Sequence, residues 1–201
     1  MRFISILVLA LFVPAVAGAE PLSPNLASKE ELTAITGIDE ALADTIIEGR
    51  PYLTAGQFDA VLAGTLDADA RAAVYADVFR AINLNNASEA EILLIPGMSK
   101  RMAHEFEEYR PYGDIEQFRR EIGKYVDEDE VARLEQYVFI PVDLNATTEE
   151  AIMQIPGMTR RMAHEFEEYR PYRDIEQFRR EIGKYVDEDE VARLESYVTI
   201  D

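Results

Sequence analysis

Ile95-Pro96-Gly97-Met98-Ser99-Lys100-Arg101-Met102-Ala103 is the stretch that decides the fold. It returns 60 residues later as Ile155-Pro156-Gly157-Met158-Thr159-Arg160-Arg161-Met162-Ala163. It also occurs 60 residues earlier, more loosely, as Ile35-Thr36-Gly37-Ile38-Asp39-Glu40-Ala41-Leu42-Ala43. Each version reads as an apolar residue, a break at Gly, a second apolar residue and then a helix start with a small Ala. That order predicts two short helices joined by a tight turn.

The period holds outward from the turn. Arg50-Pro51-Tyr52, Arg110-Pro111-Tyr112 and Arg170-Pro171-Tyr172 keep it, as do Phe58, Phe118 and Phe178. A fixed period without gaps means one structural unit written three times. The expected divisions are residues 20–82, 83–141 and 142–201, with a separate leader at 1–19.

Each copy is expected to hold four short helices. Ser28 with Glu31 and Ser88 with Glu91 have the spacing of a capping box, and Thr148 takes the same place in the third copy. The second helix should stop at Arg-Pro-Tyr, because Pro cannot continue it. Thr54, Asp114 and Asp174 should open the third helix, and Asp67, Asp127 and Asp187 the fourth. The acids 127–130 suit the positive end of a helix dipole and lack the spacing of a calcium loop. Ile92 with Ile95, Met102 with Phe106 and Tyr109, and Val131 with Leu134 and Val138 make apolar stripes at helical spacing. Strand signals are weak, so the expected class is all-α. The joins at 82–83 and 140–142 lack Gly/Ser linkers, which predicts a semi-rigid array.

Composition narrows the function. The formal net charge is -19, which opposes non-specific attraction to DNA or anionic lipid. There is no Cys, hence no disulfide, thiolate metal site or thiol nucleophile. Arg2, an apolar run from Phe3 to Val16 and Ala17-Gly18-Ala19 have the layout of a cleavable secretory signal. The run is shorter than the roughly 20 residues that a spanning helix needs. The expected product is therefore exported, periplasmic or secreted, without a later membrane span. Removing residues 1–19 takes away one Arg and no acid, so 19 basic residues face 39 acidic ones.

The turn motif, with Asn85-Asn86-Ala87-Ser88 before it and Tyr109-Arg110-Pro111 after it, resembles the helix-hairpin-helix family, and within it the ComEA-like exported proteins of DNA uptake. The likeness runs over all three copies. It implies tandem hairpin units of about 60 residues that hold double-stranded DNA by its phosphates, without reading sequence. A more distant likeness, to the extrinsic PsbU subunit of photosystem II, implies protein docking instead. In the DNA-binding pattern the turn ends on a second Gly; here that place holds Asp39, Ser99 and Thr159. Such residues cap a helix and compete for the amides an anion would use. Asp39 also puts a negative charge there, which removes the first copy as a clamp.

Two candidate phosphate cradles remain: Gly97, Met98, Ser99, Lys100 and Arg101, and Gly157, Met158, Thr159, Arg160 and Arg161. The competing expectation is that these cations balance Glu105, Glu107 and Glu108. No catalytic, metal or cofactor site is expected. His104 and His164 are one duplicated residue and lack the second His of a zinc-protease helix. Arg50, Arg110 and Arg170 should satisfy carbonyls at the end of the second helix. The second and third copies differ at four positions between 100–140 and 160–200: Lys100/Arg160, Gly113/Arg173, Gln136/Ser196 and Phe139/Thr199. The partner is therefore expected to be double-stranded DNA, held weakly and in a salt-sensitive way. The alternative is an exported protein docked by an acidic assembly module.

Overall fold

A computed structural model describes residues 20–200. The leader expected at 1–19 lies outside the described residues. The chain is mostly helical. α1 (Lys29–Thr33), α2 (Glu40–Glu48), α3 (Ala55–Ala63) and α4 (Ala68–Val74) make the first set of four. α5 (Glu89–Ile92), α6 (Lys100–Glu108), α7 (Ile115–Ile122) and α8 (Glu128–Glu135) follow. α9 (Glu149–Ile152), α10 (Arg160–Glu168), α11 (Ile175–Ile182) and α12 (Glu188–Glu195) complete the series. No helix among the described residues is long and apolar enough to cross a membrane.

The cap residues do what their chemistry dictates. Ser28, Ser88 and Thr54 form reciprocal capping boxes, and Asp67, Asp127 and Asp187 each accept from the third amide of their helix. Asn25, before α1, donates to Tyr52 O at 2.8 Å and accepts from Tyr52 N at 2.7 Å. Asn85 with Tyr112 and Asn145 with Tyr172 repeat this two-way bond. The Asn and Arg-Pro-Tyr motifs recur together because they hold each other. Arg50 and Arg110 do bind carbonyls, but not those of their own helix. They reach Pro24 and Ala27, and Leu84 and Ala87, on the segment leading into the first helix of each set.

The all-α expectation is too simple. β1 (Ile82–Asn83) pairs in parallel with β2 (Val138–Phe139), and β3 (Val142–Asp143) with β4 (Val198–Thr199). Leu22 and Val78 make the equivalent bridge in the first copy. Each copy is thus clasped where the chain enters and leaves it. Two-residue strands carry no periodicity, so the sequence does not announce them.

The copies also pack on one another. The first two share one core, and the third has its own. At each junction a Phe meets the next copy's Tyr. Phe79 and Tyr137 centroids are 5.2 Å apart, and those of Phe139 and Tyr197 4.5 Å apart. The corresponding positions differ in the outer copies: Asp77 replaces the Tyr in the first and Thr199 the Phe in the third.

Arg80 joins the first copy to the third. It is 1% exposed and makes no ion pair with a carboxylate among the described residues. Its guanidinium donates to the carbonyls of Tyr52, Leu53 and Ala81, to Tyr197 Oη and to Ser196 Oγ. It also lies over the rings of Tyr197 and Phe139, at 4.5 and 5.3 Å. Arg80→Ala would take a donor from the carbonyls of Leu53 and Ala81 and from Ser196 and Tyr197, while Tyr52 O keeps Asn25. It would also remove the stacking on two rings, so it should cost about 2–4 kcal/mol. Urea unfolding measures this, and a loss below about 1 kcal/mol would remove Arg80 as the central tie.

Candidate functional site

The turn before α6 is built by Pro and Gly together. Met98 N donates to Ile95 O at 3.0 Å, closing a four-residue turn. Pro96 sits at its second position and Gly97 at its third, with φ +75°. This is a type II turn, whose third residue needs positive φ. Gly157 and Gly37 repeat it at +77° and +99°. The residue after the turn then caps the helix. Ser99 Oγ and Thr159 Oγ1 accept from Met102 N and Met162 N, both at 3.2 Å, and Asp39 Oδ1 accepts from Leu42 N at 2.8 Å.

These bonds sort the candidate residues. The amides of Met98 and Met158 are committed to the turn, and their half-buried side chains pack on the cores. Their contribution to the expected cradle is therefore structural, holding the turn. The third amide of each helix belongs to the cap. The amides of Lys100 and Arg101, and of Arg160 and Arg161, hold the first two helical positions, which have no intrahelical acceptor. Gly97, Ser99, Lys100 and Arg101 are exposed, as are Gly157, Thr159, Arg160 and Arg161.

The four cations do not balance the acids of their own helix. Glu107 is engaged by Arg110, Glu108 lies 3.7 Å from His104 and forms no ion pair with Lys100 or Arg101, and the Glu105 side chain is buried. Elsewhere most cations pair with carboxylates: Lys29 with Asp44, Arg71 with Asp59, Arg119 with Glu135 and Arg193 with Glu190. Arg50 and Arg80 use backbone carbonyls, and Arg173 uses Gln177. Lys100, Arg101, Arg160 and Arg161 are the Lys and Arg residues among the described ones with neither an ion pair nor a side-chain hydrogen bond. They also stand at the wrong end of the helix dipole, where cations are disfavoured by about 0.3–1 kcal/mol each. No acid occupies the first turn of α6 or α10. In the first copy the same places hold Asp39, Glu40 and Ala41.

A second arginine supports each hairpin. Arg133 Nη1 donates to Pro96 O at 2.8 Å and Arg193 Nη1 to Pro156 O at 2.7 Å. The corresponding residue in the first copy is Ala73. The sequence reading missed these two, although their absence from the first copy was a signal. Their surroundings differ. The Arg133 side chain is 34% exposed and that of Arg193 only 4%, because the first copy lies over the third hairpin. Leu26 methyls stand 3.1 and 3.2 Å from the position of a Cβ added at Gly157. Gly97 instead lines a small cavity of about 230 Å³ shared with Asp59, Arg71 and Tyr75.

Two stability measurements follow from this geometry. Gly97→Ala should cost about 1–2 kcal/mol through its left-handed backbone, and Gly157→Ala more, since its Cβ also meets Leu26. Equal losses in urea unfolding would contradict the asymmetry. Lys100→Ala with Arg101→Ala should stabilise the protein by about 0.5–1.5 kcal/mol by relieving the dipole, and the gain should shrink at high salt. A loss of stability would show that the cations have a structural role. Comparison with known protein families, with curated proteins and with solved structures finds no match to this chain.

Proposed function

We propose that this chain is an exported, non-enzymatic protein of three tandem helix-hairpin-helix units, in which the hairpins of the second and third units hold the DNA backbone without reading sequence. One observation carries the reading: four exposed cations without partners, in a chain with about twice as many acids as bases, placed where the helix dipole opposes them. A phosphate at each hairpin would reverse that penalty. It would meet two cations and two free helix amides at once.

Binding should be weak at physiological salt. Affinity for duplex DNA comes mainly from neutralised phosphates, each adding about 0.9 to the slope of log affinity against log salt. The surrounding acidic surface works against it.

A docking function is the second reading. Its support is a pair of open grooves between the third and fourth helices, of about 900 and 760 Å³. Val126, Val131 and Ala132 are apolar residues lining one, and Val186, Val191 and Ala192 the other.

Fluorescence anisotropy of a labelled arbitrary-sequence duplex separates the two. The expected result is binding at low salt that weakens steeply as salt rises. It should be lost when Lys100, Arg101, Arg160 and Arg161 are all changed to Ala. No binding at low salt, or undiminished binding by the four-site variant, would overturn the proposal and favour the docking reading.

A further inference from the structure

The first copy ties its first two helices together with an ion pair. Lys29 Nζ, on α1, is 2.7 Å from Asp44 Oδ1, on α2. Sixty residues on, the same two positions hold Glu89 and His104, and after another sixty Glu149 and His164. The Lys–Asp pair is not repeated there: His104 and His164 lie instead beside Glu108 and Glu168 of their own helices, and histidine is the residue type whose charge changes between pH 5 and 8.

The location of these histidines matters for the hairpins. His104 follows Lys100 by four residues and Arg101 by three, so all three share one helical face. His164 has the same relation to Arg160 and Arg161. Both imidazoles are 72% exposed and stand 3.7 and 3.9 Å from Glu108 and Glu168. In the first copy Asp44 keeps this position negative, on the helix where Asp39 and Glu40 already exclude an anion.

We propose that His104 and His164 make the two hairpin sites acid-responsive, each adding a third cation to its basic pair when protonated. The inference rests on the reading of those hairpins as phosphate-binding.

The charged neighbours support the direction. On α6 the histidine faces Glu108, while Glu107 is engaged by Arg110. On α5, Glu89 holds the place from which Lys29 reaches Asp44. Glu91 is turned away, accepting from Ser88 N and from Gly56 N of the first copy. On α7, Glu116 and Glu121 are engaged by Arg119, and by Arg120 and Lys124. The third copy repeats these ion pairs, with Arg170 on Glu167. The proton can meet a phosphate directly or offset the charge of Glu108, 3.7 Å away. Either way the net charge beside the hairpin rises by one, and the effect on an approaching phosphate has the same sign.

The test compares the full chain with its H104Q/H164Q variant, in anisotropy titrations of the labelled duplex at pH 7.5 and 5.5 and constant ionic strength. The wild-type protein should bind about tenfold more tightly at the lower pH, as two added cations imply. The variant should change less than about twofold, and the two proteins should match at pH 7.5. Equal pH responses, or none in the wild-type protein, would overturn the inference and leave the phosphate reading standing, provided that binding is still lost in the four-site Ala variant. Absence of binding by the wild-type protein at both pH values would overturn both.

Discussion

The five N–H donors of Arg80 set the arrangement of the three copies. A guanidinium buried without a carboxylate is tolerable only if each donor finds an acceptor. Here each does, on Tyr52, Leu53, Ala81, Ser196 and Tyr197. Burial pushes the guanidinium pKa down and the bond to Tyr197 works the other way. The acceptors come from the first and third copies, and the ring of Phe139 comes from the end of the second. Ile140 and Ile200 replace Arg80 in the other copies, so the tie is made once and fixes one arrangement.

That tie accounts for part of the divergence between two nearly identical copies. Ser196, in place of Gln136, accepts from Arg80. Phe139, in place of Thr199, packs against the Tyr197 ring across the junction of the second and third copies. The Lys100/Arg160 exchange keeps a cation at the hairpin. Nothing in the structure explains why Gly113 is matched by Arg173. Identical sequence also meets different surroundings. Arg133 and Arg193 make the same bonds, yet only the second is covered by the first copy.

Features repeated within each copy were legible in the sequence, because they rest on local chemistry. Ser28, Thr54 and Asp67 cap helices, Gly97 takes positive φ, and Arg110-Pro111 ends a helix. Features made between copies were not. Arg80, Leu26 and the parallel clasps have no local pattern, and a comparison of repeats is blind to a residue that occurs once. The candidate site lies between these cases. The exposure of Lys100 and Arg101 follows from the hairpin motif. Their lack of partners depends on where Arg110, Arg119 and Arg133 direct the neighbouring carboxylates, and only the three-dimensional arrangement fixes that.

The most direct measurement of the central claim is an amide shift map by two-dimensional NMR while a short DNA duplex is added. The account predicts shifts concentrated at Gly97–Arg101 and Gly157–Arg161, largest at the first two amides of α6 and α10, with Gly37–Ala41 unmoved. Shifts confined to the grooves between the third and fourth helices, or spread evenly over the first copy, would contradict it.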